Sequence, residues 1–428
     1  MVGACDQPAE RRAGREPGNQ GRGDRSRAVH VREPVERQAG PPRDARGAQH
    51  AEEGEFESQD RVEAPEATHD QCPPQAAEGG DVLRGEVGHG REEIVTDPPA
   101  PRQAPRGAPS LRRAGLRDTM CLMVREPAIV YSSGYQCDVG AHVFPMEKFG
   151  LLRQRLVDAG DVAGDAFLEP GLASREDLLR VHSAEYLDDL EELRWTPRTM
   201  SAELPLTADI VRAYRLAAGG TTLAAREALM RGFGVNLGGG FHHAYPDHAE
   251  GFCYLNDIAV AIRTLQHEGR VRRAAVVDCD VHQGNGTART FRGDDTVFTF
   301  SLHQQRNYPT PKEPGDLDVG LEDGTGDAEY LERLGQALER VWESAPEVVI
   351  YQAGADTYRE DQLGGLALTI EGLAARDRMV MEGCARRGVP VAVTLGGGYA
   401  RRLDDTVQIH LATCRQAFAL ARDEGPRS

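Results

Sequence analysis

The chain has 428 residues, of which 39% are hydrophobic, and its formal net charge is −18. So acidic a chain is poorly suited to the phosphate backbone of nucleic acid, and no apolar run approaches the roughly 20 residues that span a bilayer. The eight cysteines include no CxxC pair, which is typical of reduced thiols in a cytoplasmic protein. We therefore expect a soluble, cytoplasmic protein with no nucleic-acid or membrane partner.

Residues 1–119 differ in composition from the rest of the chain. They are mostly Arg, Gly, Pro, Ala, Glu, Asp and Gln, with no Lys, Trp or Tyr and with Phe56 as the only aromatic residue. This composition cannot bury enough apolar surface to offset the entropy of ordering, so we predict a disordered low-complexity extension. An alternative hypothesis is that translation begins at Met120 or Met123, which the intact mass of the native protein would test.

Apolar spacing predicts helices and strands over residues 120–428. In the first part they are a strand at 128–131 and helices at 147–159, 174–193 and 207–230, the last interrupted by Gly219 and Gly220. In the second part, strands at 234–237, 274–278, 297–302, 348–352 and 389–395 are accompanied by helices at 256–267, 328–342 and 371–387 and a last helix ending near residue 420. Several strands are continuous apolar runs, as burial on both faces by crossover helices requires. We therefore predict a three-layer α/β/α fold with a mostly parallel central sheet.

Two of the predicted strands end in side chains that could bind one metal ion. Side chains two residues apart on a strand point the same way, so Asp280 and His282 can converge just beyond strand 274–278. Asp356 follows strand 348–352 and could supply a third ligand from across the sheet. Three such ligands leave a position for water, as catalytic zinc sites do. Taken alone, Asp356 could instead cap a helix and His282 could be a core histidine.

The same segments lack the additional acids of a dinuclear site. Such a site would need a further carboxylate two residues after the ligand histidine, where this chain has Gly284. Two residues after Asp356 stands Tyr358. A single metal ion is therefore favoured.

Two glycine-rich loops carry the remaining candidates. His242 and His243 follow Gly-Gly-Gly-Phe241, so a loop that allows close backbone approach delivers two imidazoles to one end of the sheet. One could act as general base on metal-bound water and the other as an electrostatic or proton-shuttling partner. Tyr399 ends a second such loop, where its hydroxyl could donate to a developing oxyanion. The alternatives are a surface loop for the His pair and a core tyrosine for Tyr399.

Taken with their glycines, these motifs resemble the zinc-dependent histone deacetylase family. In chain order they are Gly-Gly-Gly-Phe-His-His at 238–243, Gly-Phe-Cys-Tyr-Leu-Asn-Asp at 251–257, Asp-x-Asp-x-His-Gln-Gly-Asn-Gly at 278–286, Gly-Ala-Asp-Thr at 354–357 and Gly-Gly-Gly-Tyr at 396–399. The resemblance covers residues 129–418 and is greatest to class IV-like and bacterial deacetylase-like members. It implies the arginase-deacetylase α/β fold, with a histone deacetylase-like catalytic domain at residues 120–428.

The resemblance also implies a role for each candidate in amide hydrolysis. One Zn²⁺ per chain would be held by Asp280, His282 and Asp356. The catalytic groups would be His243 as general base and then acid, His242 as the second imidazole held by Asp278, Tyr399 as donor to the oxyanion, and Asn285 behind His243. Many family members have Asp where this chain has Asn285, and a neutral amide leaves His243 less basic. Class IV-like members share the Asn, so this difference does not predict loss of activity.

Further matches concern the substrate and a second ion. The tunnel around an acyl-lysine stem would be formed by Gly251, Phe252 and Tyr308. A monovalent cation, K⁺, would be held by groups of Asp278, Asp280, His282, Ser301 and Leu302. Ordinary core packing is the alternative for the two aromatic residues.

The resemblance therefore predicts a zinc-dependent deacetylase that cleaves the amide of an acylated lysine of a protein or of a similar acetylated primary amine. Acetylated polyamines, other small acetylated amines and long-chain acyl-lysines are alternative substrates. A catalytically weak acyl-lysine binder that uses the same tunnel is a further alternative, although the intact ligand set and His pair argue against it.

Overall fold

A computed structural model describes residues 128–423. The predictions of a disordered extension at 1–119 and of a start at Met120 or Met123 lie outside the described residues. The strands are β1 (Ala128–Val130), β2 (Phe233–Asn236), β3 (Ala274–Asp278), β4 (Val297–Gln304), β5 (Leu317–Leu321), β6 (Val348–Gln352) and β7 (Val391–Thr394). The helices are α1 (Lys148–Asp158), α2 (Arg175–Leu178), α3 (Ala184–Glu191), α4 (Pro197–Met200), α5 (Ala208–Arg231), α6 (Asp257–His267), α7 (Asn285–Phe291), α8 (Asp327–Glu343), α9 (Ile370–Arg387) and α10 (Leu403–Asp423).

The strands form one parallel sheet in the order β1-β2-β7-β6-β3-β4-β5. Helix α5 packs against α6, while α9 packs against α8 and α10. The central strands are buried along their whole length because helices cover both faces, which explains their continuous apolar sequences. The predicted three-layer α/β/α architecture is confirmed, and every strand pair is parallel.

The helical region predicted at 174–193 is two helices rather than one. The Ser174 hydroxyl accepts the backbone N–H of Asp177 at the start of α2, and the Ser183 hydroxyl accepts that of Tyr186 at the start of α3. Each serine therefore begins a helix of its own, because a side-chain oxygen at this position satisfies an otherwise unpaired donor.

The predicted interruption of α5 at Gly219 and Gly220 is wrong, since one helix runs from Ala208 to Arg231. A Cβ atom on Gly219 would lie 1.9 Å from the carbonyl oxygen of Gly171, and one on Gly220 would lie 2.2 Å from the Tyr135 hydroxyl. Because these glycines have no side chain, the backbone of Gly171 and the hydroxyl of Tyr135 can pack closely against the helix.

Strand β5 and helix α7 were not predicted from the apolar pattern. Strand β5 lies at the edge of the sheet, pairs with β4 alone and is only partly buried, so its sequence Leu-Asp-Val-Gly-Leu lacks a continuous apolar run. Among residues 128–423, no helix has the length and apolar character needed to cross a membrane.

Candidate active site

The three side chains predicted as metal ligands lie together beyond the carboxyl ends of two neighbouring strands. Asp280 and His282 follow β3, and Asp356 follows β6. One potential ligand atom from each lies within 4.8 Å of the other two, and all three residues are buried. The Nδ1 atom of His282 lies 3.2 Å from an Asp280 carboxylate oxygen and 3.4 Å from Asp356 Oδ2.

This cluster has the donors and the space that a metal ion requires. Asp356 Oδ2 is buried and has no hydrogen-bond partner among the described residues, which costs free energy unless a cation or donor compensates. A Cβ atom on Gly397 would lie 2.1 Å from Asp356 Oδ2, and one on Gly354 would lie 2.5 Å from Asp280 Oδ2. Glycines at these positions keep the carboxylates clear of side chains. Two carboxylates and one imidazole match the ligand preferences of Zn²⁺.

The electrostatics of the cluster favour bound positive charge. Burial and the nearby carboxylate of Asp280 raise the pKa of Asp356, because two negative charges are costly in a buried site. Burial also lowers the pKa of His282, but its contacts with the two carboxylates outweigh this effect and raise that pKa to about 10. The cluster therefore attracts a cation.

The histidine pair lies beside this cluster, and hydrogen bonds hold both its loop and its rings. The loop after β2 is fixed by Asp257, whose carboxylate accepts the backbone N–H groups of Gly240 and Phe241 at 2.9 and 2.7 Å. His242 Nδ1 lies 2.7 Å from Asp278 Oδ2, and its Nε2 lies 3.1 Å from His243 Nε2.

His243 is oriented by an amide on helix α7. Its Nδ1 lies 2.6 Å from Asn285 Oδ1, at the start of α7. An amide oxygen accepts hydrogen bonds only, so Nδ1 of His243 carries the hydrogen. Its Nε2 is therefore the acceptor nitrogen and faces Nε2 of His242.

The two imidazoles differ in basicity. Burial lowers the pKa of His242, but the charges of Asp278 and Asp280 outweigh it and raise that pKa to about 9. Burial and the positive charges of His242 and His282 hold the pKa of His243 well below its ordinary value. The surroundings thus shift the two pKa values in opposite directions, that of His242 upward and that of His243 downward, a division typical of acid and base pairs.

Tyr399 lines the same pocket as the His pair, Asp280 and His282. Its backbone N–H donates to Asp361 Oδ2 at 2.7 Å, while the N–H of Gly397 donates to Asp280 Oδ2 at 3.0 Å. Burial and the nearby carboxylates raise the pKa of Tyr399 well above its ordinary value. Its hydroxyl therefore stays protonated and available as a donor.

The predicted tunnel residues surround His243 and Tyr399. The ring of Tyr308 lies edge-on to that of His243 at 5.0 Å between centroids, and the ring of Phe252 lies 6.1 Å from that of Tyr399. Gly251 has φ +45°, and a Cβ atom there would lie 2.9 Å from a ring atom of His243 and 2.9 Å from one of Tyr308. A side chain at this position would fill the space between the two rings.

The residues matched to a monovalent cation site lie on the adjacent strands β3 and β4 or just beyond the end of β3. Asp278 of β3 is in register with Ser301 of β4, and Leu302 follows. Asp278 Oδ1 accepts the backbone N–H of Asp280 at 3.1 Å, and the Ser301 hydroxyl lies 2.9 Å from His303 Nδ1. The structure thus brings the matched segments together, while K⁺ itself stays a prediction.

Lys148 and Asp361 support the site and were not predicted from the sequence. Lys148 is buried in α1, and its Nζ donates to the carbonyl oxygen of Gly396 at 2.6 Å. A lysine in an amphipathic helix is expected on the solvent face, so no sequence signal marked it. Asp361 accepts the N–H groups of Leu363, Gly364 and Tyr399. The sequence Asp-Gln-Leu-Gly at 361–364 is typical of a turn built on an aspartate and could have pointed to it.

The chain is similar to several known proteins. The family model of the histone deacetylase domain matches residues 142–414. An uncharacterized protein of Picosynechococcus is 42% identical over 68% of this chain and 97% of its own length. Histone deacetylase 2 of Arabidopsis thaliana is 33% identical over 66% of this chain and 78% of its own. The crystal structure of an HDAC homolog from Aquifex aeolicus superposes with a TM-score of 0.59 at 27% identity, covering 68% of this chain and 83% of that one.

Proposed function

Because the chain belongs to the histone deacetylase family, we propose that it is a zinc-dependent hydrolase of acyl-lysine or of a similar acetylated primary amine. Family membership supports deacetylase activity in general, whereas the metal, the residue roles and the substrate are the proposal. The observation that carries it is the buried Oδ2 of Asp356, which makes no hydrogen bond to the described residues and lies beside Asp280 and His282. In the proposal this atom is the third metal ligand. We assign the activity to residues 120–428 and expect it in the cytoplasm.

The proposed metal site requires Asp280, His282 and Asp356 as ligands of one Zn²⁺. Bound there, the ion would polarise the amide carbonyl and increase the acidity of an attacking water. The protein contributes the placement of the ligands and a pocket lined by Phe144, Phe252 and Tyr399, which limits the access of bulk water.

Proton transfer is assigned to His243. Its low pKa leaves Nε2 unprotonated at neutral pH, so this atom can accept the proton of the attacking water and then deliver it to the leaving amine. The Asn285 amide keeps the ring in the required tautomer. His242, protonated and paired with Asp278, supplies positive charge beside the developing negative charge.

The Tyr399 hydroxyl is assigned to the oxyanion of the tetrahedral intermediate. A protonated donor in a buried pocket stabilises such charge more strongly than water does. The substrate stem would lie between Phe252 and Tyr308, with the Gly251 carbonyl accepting the amide N–H. K⁺ near Asp278 and Ser301 would be a structural ion that fixes the ends of β3 and β4.

A second candidate function is the removal of long acyl chains. Phe241 lines the catalytic pocket and also a separate apolar pocket. The walls of that second pocket include Tyr135, Met146, Phe149, Tyr214 and Gly238. This pocket is small, with a volume of about 10 Å³, which is room for about one water molecule. An aliphatic chain longer than acetyl could enter it only if the Phe241 ring and the neighbouring side chains moved.

The test is a substrate panel assayed with zinc-loaded protein. Acetyl-, octanoyl- and myristoyl-lysine peptides and acetylated polyamines would be compared, with a chelator and the Asp356→Asn variant as controls. We expect release of the acyl group from at least one acyl-lysine peptide, lost in both controls. Preference for polyamines or for long chains would select the corresponding alternative substrate. Binding of acyl-lysine without product release would overturn the hydrolase proposal in favour of a binding role.

A further inference from the structure

The sheet does not itself fix the distance between the metal-binding segments. The last paired residues of β3 and β6 are Asp278 and Gln352. Beyond this point two backbone donors still cross between the segments: the N–H of Cys279 donates to the carbonyl oxygen of Gln352 at 3.0 Å, and that of Val281 donates to Asp356 Oδ1 at 2.9 Å. A side chain that holds the backbone of both segments would add to these two contacts in setting the separation of the carboxylates.

Arg376 of α9 makes hydrogen bonds to both of these segments. It is fully buried, at 0% exposure. Its Nη1 donates to the carbonyl oxygen of Gly354 at 2.6 Å and to that of Cys279 at 3.2 Å. Cys279 directly precedes Asp280, and Gly354 lies two residues before Asp356. One guanidinium nitrogen thus bridges the backbone just ahead of two metal ligands.

A buried carboxylate holds the guanidinium in place. Arg376 Nε donates to Asp377 Oδ1 at 2.9 Å, and Nη2 makes an ion contact of 2.8 Å with the same oxygen. Asp377 in turn accepts the hydroxyls of Tyr351 at 2.6 Å and Thr413 at 2.5 Å. Because the ion pair has no net charge, Arg376 acts on the site through its hydrogen bonds and adds little repulsion toward a cation.

We propose that Arg376 is a positioning residue that sets the affinity of the metal site. It does so by fixing the spacing of the Asp280 and Asp356 carboxylates. This inference rests on the proposed function only in requiring a metal at those ligands. Lysine cannot replace it, because an ammonium lacks the planar array that contacts a carboxylate and two carbonyls at once.

The test is the affinity of the folded protein for Zn²⁺, measured by competition with a chromophoric chelator. For Arg376→Lys we expect binding weaker by about 10- to 100-fold, the typical effect of removing a group that orients metal ligands. The matched control is Tyr351→Phe, which removes one hydrogen bond to Asp377 but leaves the contacts with Cys279 and Gly354. We expect its zinc affinity to stay within about 3-fold of wild type.

A second variant covers the case in which Arg376→Lys does not fold. Arg376→Met combined with Asp377→Leu removes both members of the buried ion pair, a change that proteins often tolerate because no unpaired charge remains. It should also bind zinc more weakly. Wild-type affinity in either folded Arg376 variant, or an equal loss in Tyr351→Phe, would overturn the role of Arg376. Failure of the wild-type protein to bind zinc would instead refute the proposed function.

Discussion

Replacing Tyr399 by Phe removes one hydroxyl and leaves its packing unchanged. The ring contacts with Phe144 and Phe252, at centroid distances of 6.1 Å each, do not involve that hydroxyl. Among residues 128–423, no hydrogen bond ties the hydroxyl to another group, so its removal should cost little folding free energy. The substitution should therefore weaken the stabilisation of the transition state and leave the folding free energy nearly unchanged.

The size of the loss follows from oxyanion donors elsewhere, which contribute roughly 2.7–4 kcal/mol, or about 10²- to 10³-fold in kcat. We expect about 100-fold for Tyr399→Phe, the lower end of this range. The reason is that burial raises the pKa of Tyr399 and makes its hydroxyl a weaker donor than that of an exposed tyrosine.

The assay is steady-state hydrolysis of an acetyl-lysine peptide by zinc-loaded protein, with the melting temperature measured in parallel. A fall in kcat with KM and melting temperature nearly unchanged is expected, because the interaction forms only in the transition state. Unaltered kcat, or a loss confined to KM, would refute the assignment of Tyr399 to the oxyanion.

Three other substitutions test separate parts of the site. Asp356→Asn should abolish turnover and leave less than stoichiometric zinc after dialysis, whereas Asp404→Asn, at an exposed ion pair, should retain both. Asn285→Asp should raise the pKa of His243, because a carboxylate stabilises the protonated ring. The acid limb of the pH profile of kcat/KM should then move to higher pH. An acid limb at the wild-type pH would contradict the assignment of His243 as the base. Phe241→Leu should raise kcat/KM for octanoyl-lysine relative to acetyl-lysine, and an unchanged ratio would argue against the apolar pocket as an acyl site.

The sequence predicted those parts of the fold that depend on local apolar patterning. Strands β3 and β6 match their predicted bounds, because buried parallel strands are continuous apolar runs. Features that depend on distant contacts could not be predicted in this way. Gly219 was predicted to interrupt a helix because glycine is a poor helix former. The contact that requires a glycine there, with the carbonyl oxygen of Gly171, comes from a separate segment and leaves no local sequence signal.

The residues of the candidate site likewise fall into those marked by a local motif and those that act through distant contacts. Its candidate reactive groups could be proposed from the sequence because their short motifs each follow a predicted strand or a glycine-rich loop. The groups that support them could not be proposed in this way. Lys148 lies 248 positions from its acceptor Gly396, and Arg376 lies 97 positions from its acceptor Cys279. A basic residue within a helix gives no indication of burial, since in most proteins it faces solvent.

The most direct test of the metal centre is anomalous diffraction at the zinc edge from crystals of the zinc-loaded protein. We predict one anomalous peak per chain, about 2.0–2.2 Å from a ligand atom of each of Asp280, His282 and Asp356. A peak bound by other residues, or none at this position under conditions that support hydrolysis, would contradict the proposed mechanism.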